Sequence, residues 1–285
     1  MGDYTMGEDV LVSVIIRTCG KIDILRNALN SLRQQTYKNI EVVVIEDGTN
    51  ISENYIRNNY EDLNILYRAM GKRTGRTHAG NMGLSVAHGK YLNFLDEDDI
   101  FLPNHIQTLV DALECTNSYI AYSIAEEQQI KVRSVTPYKF KVKRKLIRYN
   151  YPYNRLLLCY MNLFPIQSVM FRREVFMQYG GFDETMDMLE DWDLWLRYSL
   201  NYEFYFVPQV TSIYYTPYKG KKRRERNIEM KLAEEIVREK QQTYFFRVDE
   251  SHIANEMDYI LNRFNQKNFI FYMKKIRNYL LYRDF

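Results

Sequence analysis

Cysteine is scarce in this chain, with only Cys19, Cys115 and Cys159 among 285 residues. The three are far apart and odd in number, and no two of them have the spacing of a zinc site or a redox-active pair. This pattern excludes a disulfide framework and a cysteine-based metal centre. A reduced, cytoplasmic chain is the simplest interpretation.

Long hydrophobic runs are also missing. The longest apolar stretch, residues 10–16, is interrupted by Ser13 and is too short to cross a bilayer. Residues 1–9 are acidic and contain no basic segment followed by an apolar one, so we expect no signal peptide. We predict a soluble, cytoplasmic protein and leave open a peripheral contact with the inner face of the membrane.

Neither sign of charge dominates, since 39 Lys and Arg residues against 36 Asp and Glu residues give a net charge of +3. A charge this small does not indicate a nucleic acid partner, and we predict none. The dinucleotide-binding pattern G-x-G-x-x-G is absent, and the four histidines include no pair at metal-ligand spacing. A dinucleotide fingerprint and a histidine metal pair are therefore excluded.

The first half of the sequence alternates between strand and helix signals. Apolar, β-branched runs predict strands at residues 10–16, 41–47, 63–67 and 90–95, and helical spacing predicts helices at residues 24–34, 52–59, 79–88 and 103–114. Ser52 is expected to cap the second of these helices. Continuous apolar strands that alternate with helices predict an α/β fold, with a mostly parallel central sheet flanked by helices on both faces.

The second half of the sequence is less regular. Residues 117–160 have weak periodicity and stay unassigned. Beyond them, the pattern predicts a strand at residues 167–172, a helix at residues 173–179 and another helix that begins near Glu190. Two strands at residues 204–208 and 210–215 are expected to close the sheet. The remaining residues predict helices at 228–240, 252–262 and 268–282.

An acidic cluster, Asp96-Glu97-Asp98-Asp99, follows the fourth predicted strand directly. Ligands of α/β sheets bind at the carboxyl ends of the strands, so we expect Thr18, Asp47 and this cluster to be neighbours. On extended backbone Asp96 and Asp98 face one side and Asp99 faces the other. Two converging carboxylates favour a hard cation, Mn²⁺ or Mg²⁺, that also binds phosphate oxygens.

Other interpretations of the acidic cluster exist. A calcium loop of the EF-hand type is excluded, because Phe101 and Gln107 stand where Gly and Glu are needed. A phosphatase with an aspartyl nucleophile usually has its Asp-x-Asp after the first strand rather than the fourth. A solvated turn that precedes the helix at Pro103 fits the cluster as well as a metal site does, when the cluster is taken alone.

Six short motifs follow one another along the chain. They are SVIIRT at 13–18, VVIEDG at 43–48, AGNMG at 79–83, GKYLNFLDEDD at 89–99, GGFDE at 180–184 and EDWDLWLR at 190–197. In this order and at these distances, the motifs resemble those of the family 2 glycosyltransferases. The resemblance covers residues 12–215 and implies a GT-A fold and sugar transfer with inversion at the anomeric carbon.

The resemblance implies a role for each matched residue. Thr18 and Asp47 are expected to line the nucleotide pocket, with Asp47 on the base or ribose, and Asn81 lies in a matched motif and joins these contacts. Asp96 and Asp98 match the metal-binding Asp-x-Asp, with Asp98 as the more direct ligand and Asp96 toward the ribose or the metal.

Two residues depart from the family pattern. Arg17 replaces a frequent proline after the first strand, and Gly80 stands where the family often has arginine. The second departure removes one expected phosphate or nucleotide contact, and we expect Arg73 or Arg76 to supply it instead.

Asp191 matches the general base of the family, the carboxylate that accepts the proton of the acceptor hydroxyl. It lies in the first turn of a predicted helix, where the helix dipole stabilises a charged carboxylate. Acidic residues are also common in first turns without any catalytic role. Trp192 and Trp195, which follow closely, are expected either to stack on the acceptor sugar or to pack in the core.

The organisation predicted is a catalytic domain over residues 1–218 and a helical C-terminal extension over residues 219–285. The helix at 268–282 is basic, aromatic and amphipathic, so it either lies on an anionic membrane or packs on this domain or another subunit. The basic residues 221–226 are interpreted as a solvated segment or as a loop that closes over the diphosphate.

The function expected is inverting, metal-dependent transfer of a sugar from a nucleotide-diphosphate donor, with a UDP-sugar favoured over a dTDP-sugar. The acceptor is expected to be a hydroxyl of a glycan, free or linked to lipid or protein, in the synthesis of cell-surface polysaccharide or of glycoprotein glycans. Two alternatives stay open. One is a nucleotidyltransferase that forms nucleotide-sugars, and the other is a non-catalytic glycan-binding or scaffold domain.

Overall fold

The structure, a computed structural model, describes residues 10–244 and 250–263. The strands are β1 (Val12–Thr18), β2 (Ile40–Glu46), β3 (Asn64–Ala69), β4 (Tyr91–Asp96), β5 (Ile100–Phe101), β6 (Ile120–Val135), β7 (Tyr138–Ile147), β8 (Val169–Arg172) and β9 (Phe204–Pro217). The helices are α1 (Ile22–Arg33), α2 (Glu53–Asn59), α3 (Arg76–Val86), α4 (His105–Thr116), α5 (Arg155–Tyr160), α6 (Arg173–Tyr179), α7 (Glu190–Ser199), α8 (Lys221–Gln241) and α9 (Glu250–Arg263). A short 3₁₀ turn, Ile166–Ser168, precedes β8.

The strands of the described residues form one sheet in the order β3-β2-β1-β4-β8-β6-β9-β5, with β7 paired to β6. Strands β1 to β4 are parallel to one another, as the strand–helix alternation predicts. The second half is mixed, because β8 runs antiparallel to both β4 and β6 while β6 and β9 are parallel. The α/β prediction is confirmed, but the expectation of a mostly parallel sheet holds only for the first half.

Helices cover both faces of the sheet, and the alternation of side chains along the strands divides the core into two parts. Ile15 and Val43 belong to the cluster beneath α3 and α7, whereas Val14 and Val42 belong to the cluster beneath α1 and α4. All seven residues of β1 are buried. This two-sided burial explains why the strand reads as a continuous apolar run rather than an alternating one.

The structure corrects two expectations about local structure and shows the elements of a segment that the sequence left unassigned. The strands predicted at residues 204–208 and 210–215 form the single strand β9, whose pairing with β6 shifts register near Val207 and Val210. The unassigned residues 117–160 contain the long hairpin of β6 and β7. The Ser52 side chain does not cap α2; instead the Glu46 carboxylate accepts hydrogen bonds of 2.9 Å from the backbone N–H groups of Ile51 and Ser52.

Residues 221–226 are the first turns of α8 rather than a loop. The other end of α8 is attached to α7, since Lys240 Nζ lies 2.8 Å from Asp193 Oδ1 and the Tyr244 hydroxyl donates to the same oxygen at 2.5 Å. No helix among the described residues is both long and apolar enough to span a membrane. The helix predicted at residues 268–282 lies outside the described residues, so its expected membrane or subunit contact stays a prediction.

Gly89, which precedes β4, allows β4 to lie against the start of β1. A Cβ at this position would stand 2.5 Å from the backbone N of Ser13 and 2.9 Å from the carbonyl oxygen of Leu11. The backbone of a buried strand cannot shift without strain. Gly89→Ala should therefore lower the free energy of unfolding by about 1–3 kcal/mol. Urea denaturation measures this, with exposed Ser85→Ala on α3 as the control that should stay near wild type.

Candidate active site

The carboxyl ends of β1, β2 and β4 meet, as the sequence predicts. The Thr18 hydroxyl donates to Glu97 Oε2 at 2.5 Å, and the backbone N of Asp47 donates to the Thr18 carbonyl oxygen at 2.8 Å. Glu97 is buried and also pairs with Lys21 Nζ at 3.1 Å. From the sequence, Glu97 is only a member of the acidic cluster. In the structure, it holds the loop after β1.

Asp47 and Asn81 use their side chains within the protein. Asp47 accepts hydrogen bonds from the backbone N–H groups of Thr74 at 2.6 Å and Gly75 at 3.1 Å, and so positions the glycine-rich loop that precedes α3. Asn81 Nδ2 donates to the Phe182 carbonyl oxygen at 3.0 Å, and Asn81 Oδ1 accepts from the Phe182 N–H at 2.7 Å. Asn81 therefore joins α3 to the backbone at Phe182, a structural role in addition to the nucleotide contact expected from the sequence.

Arg17 is buried at the centre of the site and joins two elements that are distant in sequence. Its Nε donates to Asp96 Oδ1 at 2.8 Å, and its Nη1 donates to Glu190 Oε1 at 2.9 Å. Burial opposes the charge of Arg17, but the two carboxylates outweigh burial and raise the pKa of the guanidinium. Arg17 therefore links the end of β4 to the first residue of α7.

The two departures from the family pattern lie next to each other. A Cβ on Gly80 would stand 2.6 Å from the Phe182 ring and 3.5 Å from Cδ of Arg17. The guanidinium of Arg17 lies 5.5 Å from the centre of the same ring. Phe182 and the Arg17 side chain thus fill the space that a longer side chain at position 80 would need. The arginine at this place in the structure is a residue of β1, whereas the family pattern has its arginine at position 80, in α3.

Removing the Arg17 guanidinium should leave two carboxylates without their buried partner. The side chains of Arg17 and Glu190 are 5% and 4% exposed, so their pairing is shielded from water. Arg17→Met should therefore lower the free energy of unfolding by about 3 kcal/mol or more. The matched control is Arg33→Met, which breaks the exposed pair with Asp62 and should cost at most about 1 kcal/mol. Equal losses for both variants in urea denaturation would contradict this role.

A cleft of about 860 Å³ opens beside the end of β4. Asp96, Asp98 and Asp99 all line it, so the expectation that Asp99 faces elsewhere is wrong. The reason is that the backbone turns after Asp96, where the N–H of Asp99 donates to the Asp96 carbonyl oxygen at 3.0 Å. The remaining lining residues are Arg76, Thr185, Met186, Asp187, Met188, Tyr214, Tyr215, Pro217, Arg226, Glu229, Leu232, Ala233 and Ile236.

The carboxylates of this cleft differ in how they are neutralised. Asp96 is paired with Arg17, whose charge, with that of Arg76, lowers the pKa of Asp96 against the opposing effect of burial. Asp98 has no direct cationic partner among the described residues; burial and the charges of Asp96 and Glu97 raise its pKa to about 6. Burial, with Asp98 and Asp96, also raises the pKa of Asp99 well above its ordinary value.

This concentration of negative charge fits a divalent cation. The described residues contain no group of three or more His, Cys, Asp or Glu side chains that could hold a metal ion. Mg²⁺ and Mn²⁺ need fewer protein ligands, because one or two carboxylates with substrate phosphates complete their shell. Asp96 and Asp98 are suitable donors, and a cation between them would relieve the repulsion that raises the pKa of Asp98.

Asp191 lies in the first turn of α7, beside Glu190. Burial, reinforced by the charge of Glu190, raises the pKa of Asp191 to about 7, although hydrogen bonds from the Trp192 N–H and from Asn162 act in the opposite direction. Those bonds measure 2.8 Å to Oδ1 and 3.1 Å to Oδ2. Burial thus outweighs the stabilisation of the charged form that the helix start predicts, and it makes Asp191 a stronger base near neutral pH.

Both tryptophans of α7 pack in the core. Trp195 is fully buried and contacts the rings of Phe164 and Phe171. Trp192 is 2% exposed, and its Nε1–H donates to the Leu158 carbonyl oxygen at 2.7 Å. Of the two expectations for these residues, core packing is therefore the one the structure shows.

A second cavity of about 340 Å³ is lined by Leu189 and by Asn162, the hydrogen-bond partner of Asp191. Met188, the residue before Leu189, lines the large cleft. Tyr149 also lines the second cavity, and burial with the charge of Asp191 raises the pKa of Tyr149. Asp191 itself lines neither cavity, but residues close to it in the chain or bonded to it line each of them. The remaining lining residues are Tyr160, Met161, Trp192, Met230, Lys231, Glu234 and Arg238.

The chain is similar in sequence to known glycosyltransferases. An uncharacterised glycosyltransferase of Rickettsia prowazekii is 30% identical over 206 residues, which cover 70% of this chain and 62% of that protein. The match therefore spans less than two thirds of that relative's length. An Escherichia coli UDP-Glc:alpha-D-GlcNAc-diphosphoundecaprenol beta-1,3-glucosyltransferase is 31% identical over 113 residues, which cover 40% of this chain and 45% of that protein.

Solved structures share the fold. S. aureus TarS 1–349 in complex with UDP-GlcNAc superimposes with a TM-score of 0.64 at 16% identity and covers 90% of this chain and 74% of that chain. A mannosyltransferase from Pyrobaculum calidifontis in complex with GDP-Man and Mn²⁺ gives a TM-score of 0.57 at 18% identity, with 78% and 61% covered. These likenesses confirm the predicted GT-A fold.

The model of the family described as glycosyl transferase family 2 matches residues 13–180, more than half of the 285 residues. The matched region includes β1, the acidic turn after β4 and Arg17, and it ends shortly before α7. The chain belongs to glycosyl transferase family 2, whose members are enzymes that transfer sugars.

Proposed function

We propose that this chain transfers a sugar from a UDP-sugar to a hydroxyl of a glycan acceptor, with inversion at the anomeric carbon. The observation that supports this best is the position of Asp191, a carboxylate with a pKa of about 7. Its neighbour Glu190 is joined through Arg17 to Asp96, which lines the large cleft. Its hydrogen-bond partner Asn162 lines the second cavity. A donor with a diphosphate group in the large cleft and an acceptor in the second cavity would meet at this carboxylate.

The donor side is the large cleft. Its acidic turn suits a diphosphate with a divalent cation, and half-exposed Arg76 lies at the same wall, 3.7 Å from Glu190. Thr18, Asp47 and Arg73 surround the neighbouring loop, where we place the nucleotide base and ribose. The complex of TarS with UDP-GlcNAc and the E. coli glucosyltransferase for UDP-Glc support UDP-sugars over dTDP-sugars.

The chemical step needs one base and one leaving group. Asp191 removes the proton of the acceptor hydroxyl, and the hydroxyl oxygen attacks the anomeric carbon from the face opposite the diphosphate. As this C–O bond forms, the bond from the anomeric carbon to the diphosphate breaks, and UDP leaves with the electron pair. Asn162 and the Trp192 N–H hold the Asp191 carboxylate in place throughout.

Asp98 is the proposed direct ligand of Mn²⁺ or Mg²⁺, with Asp96 held beside it by Arg17. When bound, such a cation neutralises charge that develops on the diphosphate. The Mn²⁺ in the complex of the Pyrobaculum calidifontis mannosyltransferase supports the use of a divalent metal here.

The acceptor side is the second cavity, whose tyrosines and polar groups suit the mixed polarity of a sugar ring. We propose a glycan, free or linked to lipid or protein, that is being assembled for the cell surface. The E. coli relative is named for a lipid-linked sugar, GlcNAc-diphosphoundecaprenol, which supports a lipid-linked acceptor. Because α8 lines both cavities, we propose that the extension over residues 219–285 completes the catalytic domain over residues 1–218.

Calorimetry with UDP, with and without Mn²⁺, tests the donor site directly. The proposal expects UDP binding that strengthens with the metal, and slow hydrolysis of a UDP-sugar that EDTA stops and Mn²⁺ restores. A panel of UDP- and dTDP-sugars then identifies the donor. A scaffold protein would bind no nucleotide in a metal-dependent way, and a nucleotidyltransferase would release pyrophosphate; either result would overturn the proposal.

A further inference from the structure

A third cavity, of about 500 Å³, lies between the hairpin and the start of α8, and we name it the basic groove. Four cationic side chains line it and no carboxylate does. Within residues 10–244 and 250–263, none of the four forms an ion pair with a carboxylate. The lining residues are Gln129, Arg144, Tyr218, Lys219, Gly220, Arg223, Arg224 and Asn227.

Part of this groove is held rigidly. Arg223 Nη1 lies 3.2 Å from the carbonyl oxygens of both Pro217 and Tyr218, so its guanidinium is fixed against the end of β9. Lys219 Nζ lies 5.0 Å from the centre of the Tyr218 ring. Lys219, Arg144 and Arg224 are exposed. One fixed guanidinium and three exposed cations thus face a common space.

The hairpin extends this positive charge beyond the groove. Along β7, exposed Lys139, Lys141 and Lys143 alternate with side chains that are partly buried. Successive lysines on one face of a strand are about 6.6–6.8 Å apart. Residues 130–148 include no acidic residue. The strand therefore presents three exposed lysines, and a register shift at Lys143 separates them from Arg144, the residue of β7 that lines the groove.

The groove adjoins the large cleft, because the same two chain segments line both. Pro217 and Arg226 face the cleft, whereas Tyr218, Arg223 and Asn227 face the groove. A long molecule that lies in the groove would therefore reach the mouth of the cleft by following the first turns of α8.

We propose that the basic groove and β7 bind a phosphate-bearing polymer. Charge complementarity favours a polyanion, since four cations without carboxylate partners would each gain a charge-assisted hydrogen bond to phosphate. A membrane surface fits less well. Surfaces that bind membranes combine basic residues with apolar side chains that insert, and Tyr218 is the only large apolar ring in this concave lining.

The test uses short-chain sodium polyphosphate as the probe, with neutral dextran as the reference polymer, and measures binding by calorimetry in the absence of added metal. The wild-type chain should bind polyphosphate and not dextran, and binding should weaken steeply as salt is added. UDP should not displace the probe. The double variant Arg144→Gln/Arg224→Gln should bind at least about tenfold more weakly, because two charge-assisted contacts are lost.

The control is Arg57→Gln/Arg68→Gln, which removes the same charge from exposed positions on α2 and on the opposite edge strand β3. It should bind polyphosphate within about twofold of wild type. Equal weakening in both double variants would overturn the proposal, as would binding to vesicles of phosphatidylglycerol without binding to polyphosphate. UDP-sugar hydrolysis should be unchanged in Arg144→Gln/Arg224→Gln. If the wild-type chain bound polyphosphate but hydrolysed no UDP-sugar, the proposed function would be contradicted and the proposal for the groove would still hold.

Discussion

Asp191→Asn should lower kcat by about 10²–10⁴-fold while the variant still binds UDP as wild type does. The amide keeps the shape of the side chain, and its oxygen can still accept from the Trp192 N–H. Its NH2 group replaces the oxygen that accepts from Asn162, so that one hydrogen bond is lost or reversed, and the amide cannot accept the acceptor proton. The large cleft is not lined by Asp191, so donor binding should survive. Asp111→Asn, an exposed change on α4, is the matched control and should leave kcat unchanged.

The pH dependence of the wild-type enzyme should reveal the same residue. Only the ionised carboxylate accepts a proton, so kcat should rise with pH and level off above the Asp191 pKa of about 7. Below that value the rate should fall about tenfold per pH unit. A flat profile between pH values well below and above 7 would exclude Asp191 as the base.

The stability of Asp191→Asn separates catalysis from misfolding. Burial raises the pKa of Asp191 from its ordinary value of 3.8 to about 7, so the folded state binds a proton that the unfolded state releases in that window. Wild-type stability should therefore decline as pH rises from about 4 to 7. The variant lacks this loss and should melt at a higher temperature than wild type at pH 8. Reduced melting temperature together with reduced kcat would indicate a structural defect instead.

The sequence predicts the first half of the fold well because the parallel strands are buried on both faces. Each of β1, β2 and β4 is then a continuous apolar run that ends in a polar loop, and their carboxyl ends place Thr18, Asp47 and the acidic turn together. The β6–β7 hairpin has the opposite character. Beyond Ile130 it is largely exposed, so no buried face imposes a pattern on its sequence.

The candidate site was harder to predict wherever it depends on contacts between distant residues. Arg17 and Glu190 are 173 positions apart, and neither residue alone suggests that they share a buried ion pair. One signal was nevertheless available, because Arg17 and Gly80 both depart from the family pattern. Two departures that exchange an arginine are a reason to expect neighbours in space. Asp99 was misplaced because alternation applies only to extended backbone, and the chain turns immediately after Asp96.

Asp98→Asn should remove the strengthening of UDP binding by Mn²⁺ and lower metal-dependent turnover by about 10²-fold or more, since metal charge stabilisation amounts to several kcal/mol. Asp98 is the natural first ligand because its charge is uncompensated: burial and the charges of Asp96 and Glu97 raise its pKa to about 6, and Arg17 is engaged by Asp96. A bound cation would neutralise the charge of Asp98, which no basic side chain among the described residues contacts directly. Calorimetry with UDP and Mn²⁺ measures the loss.

The same reasoning predicts an unusual stability result that a structural role would not give. Without metal, the Asp98 carboxylate is charged against burial and like charges, so replacing it with a neutral amide should leave the free energy of unfolding equal to or above that of wild type at pH 8. Adding Mn²⁺ with UDP should raise the melting temperature of wild type and not that of Asp98→Asn. Asp111→Asn should respond as wild type does. A metal-induced shift that persists in Asp98→Asn would show that Asp98 is not the ligand of the cation.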